Sequence, residues 1–488
     1  MNKKPLGPIL LDRKKNTSLQ TQVSLGLKKL IQAGALGAGE AVPSSRELAR
    51  DLQVSRNTVL NAYDRLVGEG YLDASPRCGL FVSESFALVG PPRRRGLSGS
   101  IPQIPPSQPH DEIEPVTVPM PFCPSQPDVR LFPLTLWNRM RARSLKRNGT
   151  NILHYHSELV LGLPALRRSL ASYLRDSRGV RCEWCQIAIT TGSQQALFLL
   201  AHLLLNPRKR VLMEDPGYLG ARLAWANVGA SIQPVPVDGN GLIIPPSRKG
   251  PQPALIYTTP SRQFPTGACL SLSRRLSLVD FASRTKAWVV EDDYDSEFRY
   301  TRPPLPSLHS LDPTGRVIYV GSMSKVLFPS LRIGYVVLPP TLVEGFAALR
   351  WVMDEYGPLI DQATLAEFIE AGAFYTHIRR CRREYGERLS NFLEVASRIE
   401  IPLTFPHTDG GMNVAGLLPL NSNDHKLSEA LQERGLVVPA LSRYAMRTTR
   451  PGLLFGFSAF DQKTTQVSLE LFASTLSDNA KRNSNRRA

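Results

Sequence analysis

At 488 residues the chain exceeds what one hydrophobic core fills, so two domains are expected and three are allowed. Lys and Arg number 59 against 42 acidic residues; the formal charge of +17 favours a polyanionic partner through counterion release, although a merely basic enzyme would carry the same sign. Six cysteines over this length exclude a disulfide framework, and neither a signal-peptide core nor a membrane-length apolar run is present, so a cytoplasmic protein without membrane contact is expected.

In chain order, Thr17-Ser18 can cap a first helix from Leu19 to about Ala33, with Val23, Leu27, Leu30 and Ile31 on one face. Ser44-Ser45-Arg46-Glu47 has capping-box spacing and opens a short helix to Leu52. After a tight break, Ser55 caps a third helix reaching about Glu69, and Leu48, Val59, Tyr63 and Leu66 supply the core between them. This is a helix-turn-helix pattern. Its second helix presents Arg56, Asn57 and Thr58 at its start, where Arg can read guanine, Asn adenine, and Thr a phosphate; Arg46 and Ser55 flank them. Tyr71-Leu72 and Gly79 to Val82 then read as a hairpin wing. A capped helical hairpin also occurs in proteins that never meet DNA, so spacing alone leaves both readings open.

Residues 1–85 are expected to form this unit, and 86–121, rich in Pro and Ser and carrying Arg93-Arg94-Arg95, an extended linker. From 122 to 476, apolar strand-like runs alternate with helical ones: 186–190, 210–214, 254–258, 287–291 and 316–320. That alternation predicts an α/β domain with a mainly parallel sheet, binding its ligand at the carboxyl ends of the strands, with a smaller C-terminal α/β subdomain. Residues 477–488 read as a basic tail, disordered from Asn479 to Ala488. Cys182-Glu183-Trp184-Cys185 has metal-knuckle spacing but no second pair, and no metal site is expected.

Several strand ends carry chemistry. Lys325, in Ser322-Met323-Ser324-Lys325, can form a Schiff base with an aldehyde cofactor if it loses its proton, which burial and nearby positive charge promote. Arg332 and the Ser322 hydroxyl are candidates for a cofactor phosphate, as is Gly192-Ser193-Gln194, which follows a strand and opens a helix. The two-residue period puts Asp292 and Tyr294 on one side, a carboxylate for a pyridine nitrogen and a phenol for the ring oxygen. Tyr218, in Glu214-Asp215-Pro216-Gly217-Tyr218, is a candidate to stack on the ring.

Residues 18–83, with Pro-Ser-x-Arg-x-Leu-Ala and Ser-Arg-x-Thr-Val, resemble the winged-helix domain of the GntR superfamily. Residues 122–476 resemble fold type I aminotransferases in Gly192 to Leu197, Glu291 to Tyr300 and Ser324 to Tyr335, and the whole chain is similar to MocR-type regulators. The resemblance implies pyridoxal 5'-phosphate as cofactor, Lys325 as the imine lysine, Asp292 at the pyridine nitrogen, Tyr294 at the ring oxygen, Tyr218 as the stacking ring, and Ser193, Gln194, Ser322 and Arg332 around the phosphate. It further implies operator DNA as partner, an amine or amino acid as effector, a head-to-tail homodimer, and an arginine near the C-terminus for the effector carboxylate. Arg450 is the candidate by position, with Arg443 and Arg447 competing. A working aminotransferase carrying a DNA-binding domain is the alternative. The chain departs from the family at the wing (Arg77-Cys78-Gly79-Leu80), at Arg262 where relatives carry His, and in the entrance stretch His154 to Gly162.

Overall fold

The computed structural model describes residues 9–13, 15, 17–75, 79–84, 120–246, 251–301, 305–399, 401–447 and 450–484. The chain divides into two compact units between residues 107 and 108. Arg77, Cys78, the arginine triplet and nearly all of the expected linker lie outside the described residues.

The first unit contains α1 (Leu19–Gln32), α2 (Ser45–Asp51) and α3 (Arg56–Gly68), followed by an antiparallel hairpin of β1 (Leu72–Ser75) and β2 (Gly79–Val82). Each helix starts where a serine oxygen takes a backbone N–H that the helix leaves unpaired: Ser18 from Thr21, Ser44 from Glu47 and Ser55 from Thr58. At α2 the box closes both ways, because the Ser44 N–H donates to Glu47 Oε2 at 3.0 Å. Val23, Leu27, Leu48, Val59, Tyr63 and Leu66 are buried together with Leu72 and Val82 of the hairpin. The Tyr63 hydroxyl, carried into this core, donates to Pro43 O at 2.7 Å and so ties α3 to the turn before α2.

The second unit is built on an eight-stranded sheet of β3 (Ile187–Thr190), β4 (Arg210–Asp215), β5 (Ser231–Asp238), β6 (Gly241–Leu242), β7 (Leu255–Thr258), β8 (Trp288–Asp293), β9 (Val317–Ser322) and β10 (Gly334–Val337). Its order is β3-β10-β9-β8-β7-β4-β5-β6. The sheet is mixed: the central pairs are parallel as expected, while β10 runs against both β3 and β9 and β6 against β5. The reversal at β10 follows from the short connection from β9 through the Lys325 turn, too short for the crossover that a parallel neighbour requires.

Helices cover both faces, as the near-continuous apolar strands demand. They are α4 (Leu134–Asn148), α5 (Pro164–Arg178), α6 (Ser193–Leu204), α7 (Leu219–Asn227), α8 (Leu272–Thr285), α9 (Leu308–Leu311), α10 (Pro340–Asp354) and α11 (Leu359–Glu370). Alternation along the strands sorts the contacts. Val211, Met213, Tyr257, Val290 and Val320 pack with α6, α7 and α10 residues, while Ile187, Ile189, Tyr319 and Tyr335 pack with α4, α5 and α11. A smaller subdomain joins α12 (Ala373–Arg398), α13 (Asp424–Glu433) and α14 (Gln462–Ser484) to the antiparallel pair β11 (Asn413–Leu417) and β12 (Gly452–Gly456). Phe122 enters this core from the domain's first residues, edge-on to Phe392 and Phe455 at 5.9 and 5.5 Å. The expected tail is corrected here: α14 continues to Ser484, because buried Leu469 and Phe472 anchor a helix whose following residues offer no breaker.

Replacement of Ser44 by Ala removes the acceptor half of the capping box and leaves the Glu47 N–H without its partner. The expected cost is about 1 kcal/mol in the first unit's unfolding free energy, read as a lower urea midpoint at constant slope.

Candidate DNA-reading face and cofactor pocket

In the first unit Arg46, Arg56 and Asn57 are exposed at the start of the second and third helices. Arg56 Nε donates to Ser45 Oγ at 3.2 Å, so the exposed guanidinium is steered by α2 and keeps further N–H donors. Ser55 and Thr58 share a hydroxyl hydrogen bond of 2.8 Å, and the Thr58 N–H donates to Ser55 Oγ at 3.1 Å. Their oxygens brace the helix start, whereas Arg56 and Asn57 present the groups that can reach bases.

In the second unit the expected residues come from the carboxyl ends of β3, β4, β8 and β9. Behind β3, Gly192 (φ 98°) turns the chain into α6, whose first residue is Ser193 and whose N-terminus has no side-chain cap. A Cβ on Gly192 would lie 3.0 Å from Arg332 Nη2, and one on Gly334 would lie 2.6 Å from the Gly192 carbonyl carbon. Two glycines therefore let β10 approach the start of α6 closely enough for Arg332, itself left-handed at φ 51°, to donate to Thr191 O at 2.7 Å. The result is a cationic group beside free helix N–H donors, a cradle for a phosphate. Ser322 Oγ is nearby in chain and accepts the Ser324 N–H at 3.2 Å.

Tyr218 is the residue before α7, and its hydroxyl donates to Gln194 Oε1 at 3.3 Å; Gln194 Nε2 in turn donates to Gly220 O at 2.8 Å. Burial pushes the Tyr218 phenol up to about 12, so it is neutral at physiological pH. Phe264 stands edge-on to Tyr218, Tyr294 and Tyr444, with ring centroids 5.8, 6.0 and 5.0 Å away. Asp292 is buried; its Oδ2 accepts the Tyr257 hydroxyl at 2.7 Å, and its Oδ1 has no partner among the described residues. Burial raises this carboxyl to about 7, against the Tyr257 hydrogen bond, with Asp293 and Glu214 adding to the rise.

Lys325 is half-buried, and Nζ donates to Ser125 O at 3.0 Å. Burial lowers its pKa; Arg332 acts in the same direction, while Cys123 and Asp295 oppose them. These residues fit pyridoxal phosphate on structural grounds: a lysine eased toward its neutral form, a glycine-lined anion cradle with an arginine, and a buried carboxylate oxygen lacking a donor. Once bound, that group supplies an aldehyde for amines and a ring that withdraws electrons.

Arg262 does not stand free in the pocket floor. It is buried, pairs with Asp295 at 3.5 Å, donates to Asn413 O and leaves no room for a Cβ at Gly411, while its Nη1 has no hydrogen-bond partner among the described residues. The Asp295 carboxyl is raised to about 7 by burial, with Arg262 pulling the other way. The entrance stretch forms short turns in which His156 bonds Asn151 O and Glu158, and Gly162 packs on Ile189. Arg450 is exposed, two residues before β12, and carries no hydrogen bond or ion pair among the described residues. The backbone of 444–447 does lie at the pocket: the Gly217 N–H donates to Tyr444 O, and Asp215 accepts the N–H groups of Met446 and Arg447. Arg222, one turn after Tyr218 on α7, reaches Ala445 O at 3.5 Å.

Tyr257, Phe264, Tyr444, Ser125 and Asn413 were not among the sequence candidates. The period of β7 places Tyr257 on the same face as Leu255, which reads as core, and Ser125 and Asn413 meet across 288 residues with no local signal.

Comparison with known proteins agrees with this geometry. Residues 19–82 match the gntR family of bacterial regulatory proteins, and residues 149–454 match aminotransferase class I and II. The chain is 37% identical over 470 residues, 93% of each chain, to the probable rhizopine catabolism regulatory protein MocR of Rhizobium meliloti. It is 32% identical, over 94% of this chain and 96% of the relative, to the pyridoxine biosynthesis transcriptional regulator PdxR of Corynebacterium glutamicum. Among solved structures, the kynurenine aminotransferase of Pyrococcus horikoshii superposes with a TM-score of 0.68 at 26% identity, covering 74% of this chain and 92% of that one. The α-aminoadipate aminotransferase LysN of Thermus thermophilus, solved with N-(5'-phosphopyridoxyl)-L-leucine, gives 0.67 at 28% identity over 74% and 92%.

Asp292 binds its proton far more tightly folded than unfolded, so in cofactor-free protein its contribution is stabilising at low pH and is lost as pH rises from about 4 to about 7. Asp292→Asn is expected to remove that slope and to stabilise the cofactor-free second unit above pH 7, by on the order of 4 kcal/mol at most for a three-unit difference. Urea unfolding across pH checks it; parallel stability curves for the two proteins would contradict it.

Proposed function

Because the chain belongs to the MocR-type regulators, a winged helix of the gntR family joined to an aminotransferase class I and II unit, we propose that it is a transcriptional regulator that holds pyridoxal phosphate on Lys325 and reads an amine or amino acid there. The observation that carries this reading is Asp292 Oδ1, a buried carboxylate oxygen without a donor in a pocket that also holds an amine eased toward neutrality. A protonated ring nitrogen supplies the donor that Oδ1 lacks. Arg332, Ser322 and the α6 N-terminus at Ser193 and Gln194 take the phosphate, Tyr218 the ring face and Tyr294 the ring oxygen. An effector carboxylate meets a cation of the 443–450 segment, Arg450 or its neighbours Arg443 and Arg447, since that stretch is tied to the Tyr218 turn.

An amine that displaces Lys325 from the cofactor frees Nζ and changes what the pocket wall from Ser125 to Asn413 must accommodate. If one arrangement of the protein suits that state better, the effector shifts the population of DNA-binding forms by its difference in affinity. A second copy of the chain, arranged head to tail, completes the working form. The exposed apolar side chains Leu153, Tyr155, Trp351, Val352 and Met353, which border the entrance stretch and end α10, support an association surface there. Turnover as an aminotransferase is the second reading, favoured by the lowered affinity of Lys325 for its proton. Sustained oxo-acid production from an amino-acid panel would support it, and a single half-reaction without recycling would not.

Lys325→Ala is expected to abolish the visible absorbance that the cofactor gives when joined to a lysine, and with it any amine-dependent change in operator affinity; retention of both would sink the assignment. Arg56→Ala is expected to weaken operator binding by about 1–3 kcal/mol, measured by fluorescence anisotropy across a salt series. An unchanged affinity and salt slope would remove Arg56 from the reading face.

A further inference from the structure

Asp292 reaches the pocket with one oxygen already committed. Tyr257 lies on β7, the neighbour of β8, with Tyr257 registered opposite Val290, and its hydroxyl donates to Asp292 Oδ2 at 2.7 Å. Both side chains are buried. The phenol ring packs against Trp225 at 6.1 Å, so the position of its oxygen is fixed by the core rather than by a bound ligand. Oδ1 is left as the oxygen without a partner. The two oxygens are thus divided: one held by the protein, one available to a ring nitrogen.

We propose that Tyr257 is a positioning residue for the cofactor: by donating to Asp292 Oδ2, it keeps the proton that Asp292 Oδ1 and the ring nitrogen share on the nitrogen. This rests on the pyridoxal phosphate reading. Asp292 lies in the field of Asp293, next to it on the same strand, and of Glu214 on β4, and it neighbours Tyr257 on β7 and Tyr218 at the start of α7. The neighbouring acids and the burial all favour a protonated, neutral carboxyl, and the Tyr257 hydrogen bond acts against them. Such a bond to an ionised carboxylate changes its proton affinity by about 10- to 100-fold. Without it, the shared proton moves from the ring nitrogen to Oδ1; no proton enters or leaves the pair. The ring then becomes a weaker electron sink while the phosphate, stacking and lysine contacts stay as they were. Tyr257 therefore sets how strongly a bound amine is activated, which separates a protein that holds its ligand from one that turns it over.

The test uses full-length protein loaded with pyridoxal phosphate carrying nitrogen-15 in its ring, and reads the ring resonance, which reports directly whether that nitrogen is protonated. The wild type is expected near the protonated limit, and Asp292→Asn at the unprotonated one. Tyr257→Phe should move the resonance toward the Asn reference, with melting temperature and cofactor stoichiometry retained. Fluorotyrosine placed at position 257, a stronger donor, should move it the other way or hold it at the protonated limit. A purely structural tyrosine predicts no movement: a Tyr257→Phe resonance equal to that of the wild type overturns the proposal. Should Tyr257→Phe not fold, a fluorotyrosine resonance displaced toward the unprotonated side overturns it as well. Failure of the wild type to take up the cofactor at all would instead overturn the reading on which the proposal rests.

Discussion

Three consecutive carboxylates, Glu291, Asp292 and Asp293, are buried at the end of β8, and much of the second unit is arranged around making that tolerable. Each has a different solution. Glu291 accepts the backbone N–H groups of Leu308 and His309 at the start of α9. Asp293 is met by Arg178 at 2.8 Å, by Ser296 at 2.9 Å and by Tyr319. Asp292 Oδ1 has no partner among the described residues, and neither has Asp293 Oδ1. A fold gains nothing in stability from that vacancy, since a buried acceptor without a donor costs about 1–3 kcal/mol. Asp293 offsets its open oxygen with the Arg178 ion pair, whereas Asp292 is met only by the neutral Tyr257 hydroxyl, which is the difference that suits it to a cationic ligand group.

The same division of labour runs through the cradle and the reading head. Gly192 and Gly334 give up side chains so that β10 can run against β3 and β9 and deliver Arg332 to the start of α6. At the third helix, Ser55 and Thr58 spend their oxygens on the helix start, leaving the exposed Arg56 and Asn57 beside them.

What the sequence reveals follows from range. The helix-turn-helix is legible because its determinants are local: caps three residues apart, apolar positions at helical spacing, and a hairpin of two short runs. The strand ends are legible because alternation fixes which residues leave the sheet together, as with Asp292 and Tyr294. Tyr257 hides because a buried strand tyrosine looks like packing until its hydroxyl is traced to the neighbouring strand. Ser125 and Asn413 hide because their contact closes across most of the second unit. The reversed β10 also escaped, since a strand of four residues carries no sign of its direction. Arg262 is half legible for a related reason: its charge is visible in sequence, but Asp295 becomes its partner only through the fold.

Lys325 stands where these arrangements meet. Burial and Arg332 ease its proton off, while Cys123 and Asp295 hold the proton on. Asp295 is the acid that Arg262 pulls toward ionisation, and Arg262 is bonded to Asn413, whose side chain grips Ser125; the Ser125 carbonyl accepts from Lys325. The loop closes on itself: lysine, Ser125, Asn413, Arg262, Asp295 and back to the lysine through its field. A cofactor held on the lysine would change what Nζ offers to the Ser125 carbonyl, and an amine that freed the lysine would return the free amine to it. The state of one nitrogen would thereby bear on the contacts that join the large sheet to β11 of the smaller subdomain. The proposed sensor needs that physical form: a change at one atom that alters which packing of two parts is cheaper.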